Sequence, residues 1–212
     1  MTKLPASLYL FTILCLGSEP SAQAQQILKI QADATAGKIS VYRAGLAVPL
    51  LTQNARPDFR PYIHPITAPD GKGQLTQYSP GHHKHQTGLY WGFTRVNGRD
   101  YFHHPGDGYW QRISARVNKP EGQTVSWTTV YDMIGKDAKP VLRETQKWTM
   151  RSADTGQVIL DLEWQGKATQ DVTISKYDYG GLFLRMPWTR GIRAQALNAA
   201  GLRNQKGEGH RS

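Results

Sequence analysis

The sequence predicts an all-β protein with the architecture of an antiparallel β-sandwich. Apolar and polar residues alternate along most of the chain, as they do in strands that bury one face. The alternating segments are short, and turn-forming clusters such as Pro69-Asp70-Gly71 and Pro120-Glu121-Gly122 separate them. Roughly ten short strands at this spacing are typical of a sandwich or a barrel.

The clearest strand pattern begins at Val158, where Leu160, Leu162 and Trp164 share one face and polar residues occupy the other. Further strands are predicted at 38–43, 60–64, 90–96, 99–103, 111–117, 125–131, 141–151 and 182–186. Residues 192–202 are the one segment that fits a helical pattern. The polar, glycine-rich residues 201–212 follow without a closing strand, which predicts either a tail or a C-terminally incomplete sandwich.

The first 24 residues have the features of a secretory signal peptide. Lys3 supplies a basic start, residues 8–16 are apolar but too short to span a bilayer, and Ala22-Gln23-Ala24 matches a cleavage site. The single cysteine, Cys15, lies inside this segment, so the remaining chain has no disulfide. We therefore expect an exported protein, periplasmic or extracellular, with one domain at 25–200.

The composition disfavours two classes of partner. The net charge is +10 at pH 7, but Lys and Arg are spread along the chain and do not form the blocks expected of a nucleic-acid-binding protein. After the first 24 residues no apolar run reaches membrane-spanning length. A solvated basic surface, or one that meets an anionic glycan or envelope, fits the charge. The sequence indicates no particular cofactor and no oligomeric state.

Histidines are concentrated between residues 80 and 110, which contain His82, His83, His85, His103 and His104. Between the two groups lies Asn97-Gly98, a dipeptide that favours a two-residue hairpin with a type I′ turn. Pairing of 90–96 with 99–103 would bring both groups to the open end of that hairpin.

Clustered imidazoles suit a metal, a proton shuttle or a polar ligand. If the backbone is extended, His83 and His85 point to one face, and His103, His104 or Asp107 could complete a set of ligands. No established metal-binding motif is present, so no metal ligands are assigned. Three interpretations stay open: a metal-free polar site, a metal site, and histidines that cap loops.

Glu144 is the second candidate catalytic residue. Strand alternation places it on the apolar face with Leu142 and Trp148. A carboxylate on such a face must be paired, solvated in a cavity, or raised in pKa, and the last of these suits a general acid or base. The structural alternative is a buried ion pair with an arginine such as Arg185.

Aromatic residues near these polar groups could hold a sugar ring, although aromatics on strands more often belong to the core. This set comprises Tyr62, Tyr90, Trp91, Trp110, Tyr177 and Tyr179. We predict that the catalytic groups are His83, His85 and Glu144. The predicted substrate-binding residues are Arg60, Tyr62, Trp91, His104 and Arg185.

Several segments resemble an exported bacterial family commonly labelled PmoA-like, or "methane oxygenase PmoA". They are 60–65 with 69–71, 82–91, 96–102 and 179–186. The resemblance covers about residues 27–201 and implies a β-sandwich of the galactose-mutarotase type and a role in glycan breakdown. It also implies further strands beyond the end of this chain. The resemblance itself assigns no catalytic residue.

These observations predict an exported PmoA-like protein that binds or processes a carbohydrate, by hydrolysis, elimination or epimerisation if it is an enzyme. One alternative is a non-catalytic glycan-binding module. The other, which the family label suggests, is a metal-dependent oxidoreductase.

Overall fold

The structure is a computed structural model, and it describes residues 27–153, 156–190, 197 and 201. Its strands are β1 (Leu28–Asp33), β2 (Lys38–Arg43), β3 (Leu51–Asn54), β4 (Tyr62–Ile66), β5 (Leu89–Gly92), β6 (Trp110–Lys119), β7 (Glu121–Gly122), β8 (Thr124–Ile134), β9 (Pro140–Ser152), β10 (Val158–Ala168) and β11 (Gly181–Leu184). The predicted signal peptide lies outside the described residues, as does most of the predicted helix at 192–202.

Two antiparallel sheets pack face to face, so the predicted all-β sandwich is confirmed. The larger sheet has the order β11-β5-β4-β3-β2-β1-β7, and the smaller has the order β10-β9-β8-β6. Long strands of the smaller sheet are fully paired: β9 runs in register with β8 on one side and with β10 on the other. The described residues contain no helix of the length and apolar content that crossing a membrane requires.

The core forms where the inner faces of the two sheets meet. Trp127 on β8 and Trp148 on β9 stack with ring centroids 6.4 Å apart, and they pack against Leu28, Val41 and Ile63 of the larger sheet. Burying these side chains stabilises the fold by about 1.5–3 kcal/mol each. A polar contact also crosses the interface, because Trp127 Nε1 donates to Gln53 Oε1 at 3.2 Å.

A second aromatic layer covers part of the opposite face of the larger sheet. Ile63 and Leu89 contact the main core, so their neighbours Tyr62 and Tyr90 point the other way. There Tyr62, Tyr90 and Phe102 form a buried cluster with Phe59, Tyr179 and Phe183 packed against it. This layer brings the 93–109 segment down onto β4, β5 and β11.

The predicted strand at 99–103 is wrong, although the turn that precedes it is confirmed. Asn97 and Gly98 both have positive φ, at 48° and 69°, and Val96 pairs with Arg99 across them. Beyond Arg99 the chain turns again, because Asp100 Oδ1 accepts hydrogen bonds from the backbone amides of Phe102 and His103. Strand β5 pairs instead with β4 and β11.

Candidate functional site

The segment from His82 to His85 is a compact loop, so the extended backbone under which His83 and His85 would share a face is not present. The His83 amide donates to the Pro80 carbonyl at 2.9 Å, and the Gln86 amide donates to the His83 carbonyl at 3.0 Å. These successive turns still gather the rings. The centroids of His82 and His83 lie 3.9 Å apart, and those of His83 and His85 lie 6.0 Å apart.

The 93–109 segment brings His103 against this loop. The ring centroids of His85 and His103 are 4.5 Å apart, so the predicted convergence of the two histidine groups is confirmed for these residues. His104 is exposed and stacks on Tyr109 at 4.7 Å between ring centroids. We call His83, His85, His103 and the adjoining Asp100 the histidine face.

Asp100 fixes the orientation of His103. Its Oδ2 lies 2.7 Å from His103 Nδ1, while Oδ1 accepts the amides of Phe102 and His103 at 3.0 Å each. Burial alone would raise the pKa of Asp100, but the hydrogen bonds from His103 and Phe102 outweigh it and lower the pKa below its usual value. An ionised Asp100 therefore holds a proton on Nδ1 and leaves Nε2 of His103 as an acceptor.

The Nε2 atom of His103 faces Tyr179, whose hydroxyl lies 3.4 Å away. Burial, followed by the hydrogen bond with Tyr177, raises the pKa of Tyr179 to about 12, so its phenol stays protonated at neutral pH. At 3.4 Å this hydrogen bond is long. A ligand hydroxyl could replace the phenol as the partner of Nε2.

His85 is the neutral member of the histidine face. Burial, aided by the positive charge of Arg60, lowers the pKa of His85 to about 4. At neutral pH its ring therefore accepts or donates hydrogen bonds without carrying charge.

Arg60 joins the two loops that carry the histidine face. It is completely buried, at 0% exposure. Its Nη1 donates to the carbonyls of Phe102, at 2.8 Å, and of Tyr101, at 3.4 Å. Its Nη2 donates to the His85 carbonyl and to Thr87 Oγ1. Arg60, which was predicted to bind substrate, is thus buried beneath the two loops and holds them together. Its guanidinium carbon lies 3.8 Å from the centroid of the Tyr90 ring.

Glu144 lies on the inner face of β9, as predicted, and is 1% exposed. Its Oε1 accepts Gln146 Nε2 and its Oε2 accepts Trp164 Nε1, both at 2.8 Å. Gln146 in turn accepts Trp148 Nε1 at 3.0 Å. Burial raises the pKa of Glu144 to about 7, against the opposing effects of these hydrogen bonds and of the Arg60 charge.

The predicted alternative for Glu144, an ion pair with Arg185, is wrong. Arg185 Nε donates to Gln77 Oε1 at 3.2 Å and its Nη1 donates to Gln86 Oε1 at 3.1 Å. The positive charge that acts on Glu144 is that of Arg60. Arg185 instead borders the histidine face, because Gln86 Nε2 lies 3.5 Å from His83 Nδ1.

The two remaining predicted substrate-binding residues are packed against other rings. Trp91 stacks on Trp164 with centroids 4.5 Å apart, and its Nε1 is buried without a hydrogen-bond partner. Tyr62 is buried beside Tyr78 and Phe59. Within the described part of the chain, no three His, Cys, Asp or Glu side chains are grouped as a metal site requires.

A family model described as "Family of unknown function (DUF6807)" matches residues 41–212, which is most of the chain. The chain belongs to this family. Comparison with the curated proteins and with the solved structures found no match. The histidine face, Arg60 and Glu144 all lie within the part that the DUF6807 model matches.

Asp100 was not among the site residues predicted from the sequence of this DUF6807 protein, although it is part of the histidine face. The signal was present, because an Asp three residues before a His can accept the backbone amides two and three residues further on and also reach the His ring. Gln86 was also overlooked, and no local pattern marks it, since its partners Arg185 and His83 converge through the tertiary fold.

The raised pKa of Glu144 predicts a stability that depends on pH. The folded value of about 7 lies above the ordinary 4.5. The stabilising contribution is therefore fully present below about pH 4.5 and is lost as the pH rises through about 7. Between about pH 5 and about pH 8, the unfolding free energy of the wild type should fall because Glu144 ionises in the folded protein. In Glu144→Gln this fall should be smaller, by on the order of 1–3 kcal/mol.

Urea unfolding at the two pH values measures this difference. The exposed Glu163, which pairs with Lys147 at 2.8 Å, supplies the control. Glu163→Gln should leave the pH dependence of the wild type unchanged. Parallel pH profiles for wild type and Glu144→Gln would show that Glu144 titrates normally in the fold.

Proposed function

We propose that this protein is an exported carbohydrate-binding protein that processes its ligand by proton transfer at His103. One observation carries the proposal: His103 is held through Nδ1 by Asp100, and its Nε2 is presented beside the protonated Tyr179 hydroxyl. A carboxylate, an oriented imidazole and a phenol in this order form a general base with an adjacent hydrogen-bond donor.

The chemistry expected of this arrangement is removal of a proton from a ligand hydroxyl or an acidic C–H group. Asp100 keeps His103 in the tautomer that can accept a proton at Nε2, and it stabilises the imidazolium that forms. Tyr179, displaced from Nε2, can donate to a ligand oxygen. The neutral His85 ring 4.5 Å away adds a polar group without adding a competing charge.

The surroundings favour a carbohydrate as the ligand class. A partly exposed tyrosine ring borders the histidine face through Tyr179: Tyr177 is 38% exposed and packs edge-on to Tyr179. Tyr78, which is 42% exposed, lies in the same region beside Tyr62 and His64. Such rings pack against the C–H faces of sugars, while amides and guanidinium groups satisfy the hydroxyls. Gln77, Gln86 and Arg185 supply those polar groups.

Two features of the sequence support the wider setting. The basic start, apolar stretch and Ala22-Gln23-Ala24 site favour export. The resemblance of residues 60–65 and 96–102 to PmoA-like proteins favours a role in glycan breakdown. Both supports are independent of the geometry of His103.

The test is the substitution Asp100→Asn, which keeps the shape but removes the charge that orients His103. Wild-type protein is incubated with a panel of neutral and acidic oligosaccharides, binding is followed by ligand-observed NMR, and products by mass spectrometry. We expect saturable binding and turnover by the wild type. Asp100→Asn should keep most of the affinity but lose turnover by about 100-fold or more.

Asp107 provides the matched control, because it is an exposed aspartate in the same segment and has a φ of 57° that asparagine tolerates. Asp107→Asn should behave as wild type in both assays. Equal turnover by Asp100→Asn and wild type would contradict the general-base role. Binding without turnover by the wild type would identify a non-catalytic glycan-binding module, and absence of binding across the panel would refute the carbohydrate proposal.

A further inference from the structure

A second polar site lies at the tip of the Asn97-Gly98 turn, where Arg99 directly precedes Asp100 of the histidine face. A cleft of about 210 Å³ separates this turn from the loop that joins β8 to β9. It is smaller than the roughly 300–1,000 Å³ of sites that hold drug-sized ligands. Its charged lining residues are Arg99, Lys136 and Asp137.

Arg99 is fixed at this cleft by stacking. Its guanidinium carbon lies 3.6 Å from the centroid of the Tyr109 ring, and His104 stacks on that ring 4.7 Å from it. A guanidinium held over an aromatic ring loses rotational freedom but keeps its terminal N–H groups available for hydrogen bonds. The orientation of the side chain is therefore set before any ligand arrives.

The hydrogen-bonding capacity of Arg99 is unused by the protein. Its Nε is buried and has no partner, and none of the described residues accepts a hydrogen bond from its guanidinium. By comparison, Arg143 binds both oxygens of Asp132, and Arg151 binds Asp161. The terminal N–H groups of Arg99 can therefore donate to the oxygens of a ligand in the cleft.

The rest of the lining fits an anion. Lys136 adds a second positive charge, and it takes part in no described ion pair or hydrogen bond. Asp137 is the opposing charge, but its Oδ1 is occupied in accepting the Lys139 amide at 3.2 Å. Gln170 directs its Nε2 to the Pro140 carbonyl at 3.3 Å, which anchors the wall.

We propose that this cleft binds a compact oxyanion, such as a carboxylate or phosphate group, between Arg99 and Lys136. Arg99 supplies a preoriented fork of donors that matches two oxygens of one group. Lys136 supplies a point charge from the opposite side. The site is separate from the carbohydrate proposal and does not depend on it.

The test titrates full-length protein with inorganic phosphate, and separately with acetate, at an ionic strength held constant with sodium chloride. Amide shifts of Lys136 and Asp137 in NMR spectra report the cleft. We expect saturable binding that Arg99→Met weakens by at least about tenfold and Lys136→Gln weakens by a smaller factor. Asp137→Asn, which removes the opposing charge, should strengthen binding by about threefold.

Arg116, an exposed arginine on β6, supplies the control, and Arg116→Gln should leave binding unchanged. If Arg99→Met fails to fold, Lys136→Gln and Asp137→Asn still decide, because both change exposed residues and in opposite directions. Linear shifts without saturation, or affinities that none of the three cleft variants alters, would overturn the proposal. Tighter binding of phosphate than of acetate would assign the site to a phosphate group, and the reverse order to a carboxylate.

Discussion

Replacing Arg60 with methionine is expected to lower the free energy of unfolding by about 3–5 kcal/mol. The methionine fills much of the same volume but donates no hydrogen bond. The carbonyls of His85 and Phe102 and the hydroxyl of Thr87 would lose their donor inside the protein. Glu144 would also lose the positive charge that favours its ionised form. Urea denaturation measures the loss.

Two further variants separate the causes. Arg60→Lys keeps the positive charge, but a single ammonium group cannot donate to both loops at once as the guanidinium does. We therefore expect an intermediate loss of unfolding free energy. Arg151→Met breaks an ion pair whose partners are about half exposed, and it should cost less than about 1 kcal/mol. If Arg60→Met were as stable as Arg151→Met, Arg60 would not be the residue that holds the two loops.

Replacing Gly88 with alanine is the second change with a large expected effect. Gly88 has a φ of +86°, and an added Cβ would collide with the Ile63 carbonyl oxygen and lie 3.0 Å from the His64 Cβ. Two terms add to this cost. Holding alanine in a left-handed backbone conformation costs about 1–2 kcal/mol, and pushing β4 aside to make room for the Cβ costs about another 1–3 kcal/mol. We therefore expect a loss of about 2–5 kcal/mol, measured by thermal and urea unfolding.

Gly98 separates the two contributions. It also has a positive φ, of +69°, but an added Cβ there meets no atom within 4 Å. Gly98→Ala should therefore cost about 1–2 kcal/mol from the backbone conformation alone. Equal losses at Gly88 and Gly98 would mean that the close contact between Gly88 and β4 contributes nothing.

The strands of the smaller sheet could be predicted because their side chains alternate over long stretches. Glu144 and Trp148 were placed on the correct face of β9 for this reason. The short strands β1 and β3 were not predicted. In β3 every residue is buried, including Gln53 and Asn54, so the polar side chains gave no alternation to detect. Gln53 is tolerated because it bonds to the Tyr62 carbonyl and to Trp127.

The candidate site could be predicted in part. The convergence of His85 and His103 followed from the Asn97-Gly98 turn, although the chain reaches it through a turn at Asp100 and not through a second strand. The role of Arg60 could not be foreseen, because its acceptors are main-chain carbonyls, which any sequence supplies. Side-chain identity alone does not reveal which carbonyls a fold leaves available.

The position of Arg60 has a consequence for the order in which the molecule folds. A nascent chain that ends near residue 80 already contains Arg60, but the residues that accept its hydrogen bonds lie at 85–87 and 101–102. Burying the guanidinium at that stage would strand a charge without partners, at a cost of several kcal/mol. The hydrogen bonds of Arg60 can therefore form only once the chain extends past residue 102, about half of its 212 residues.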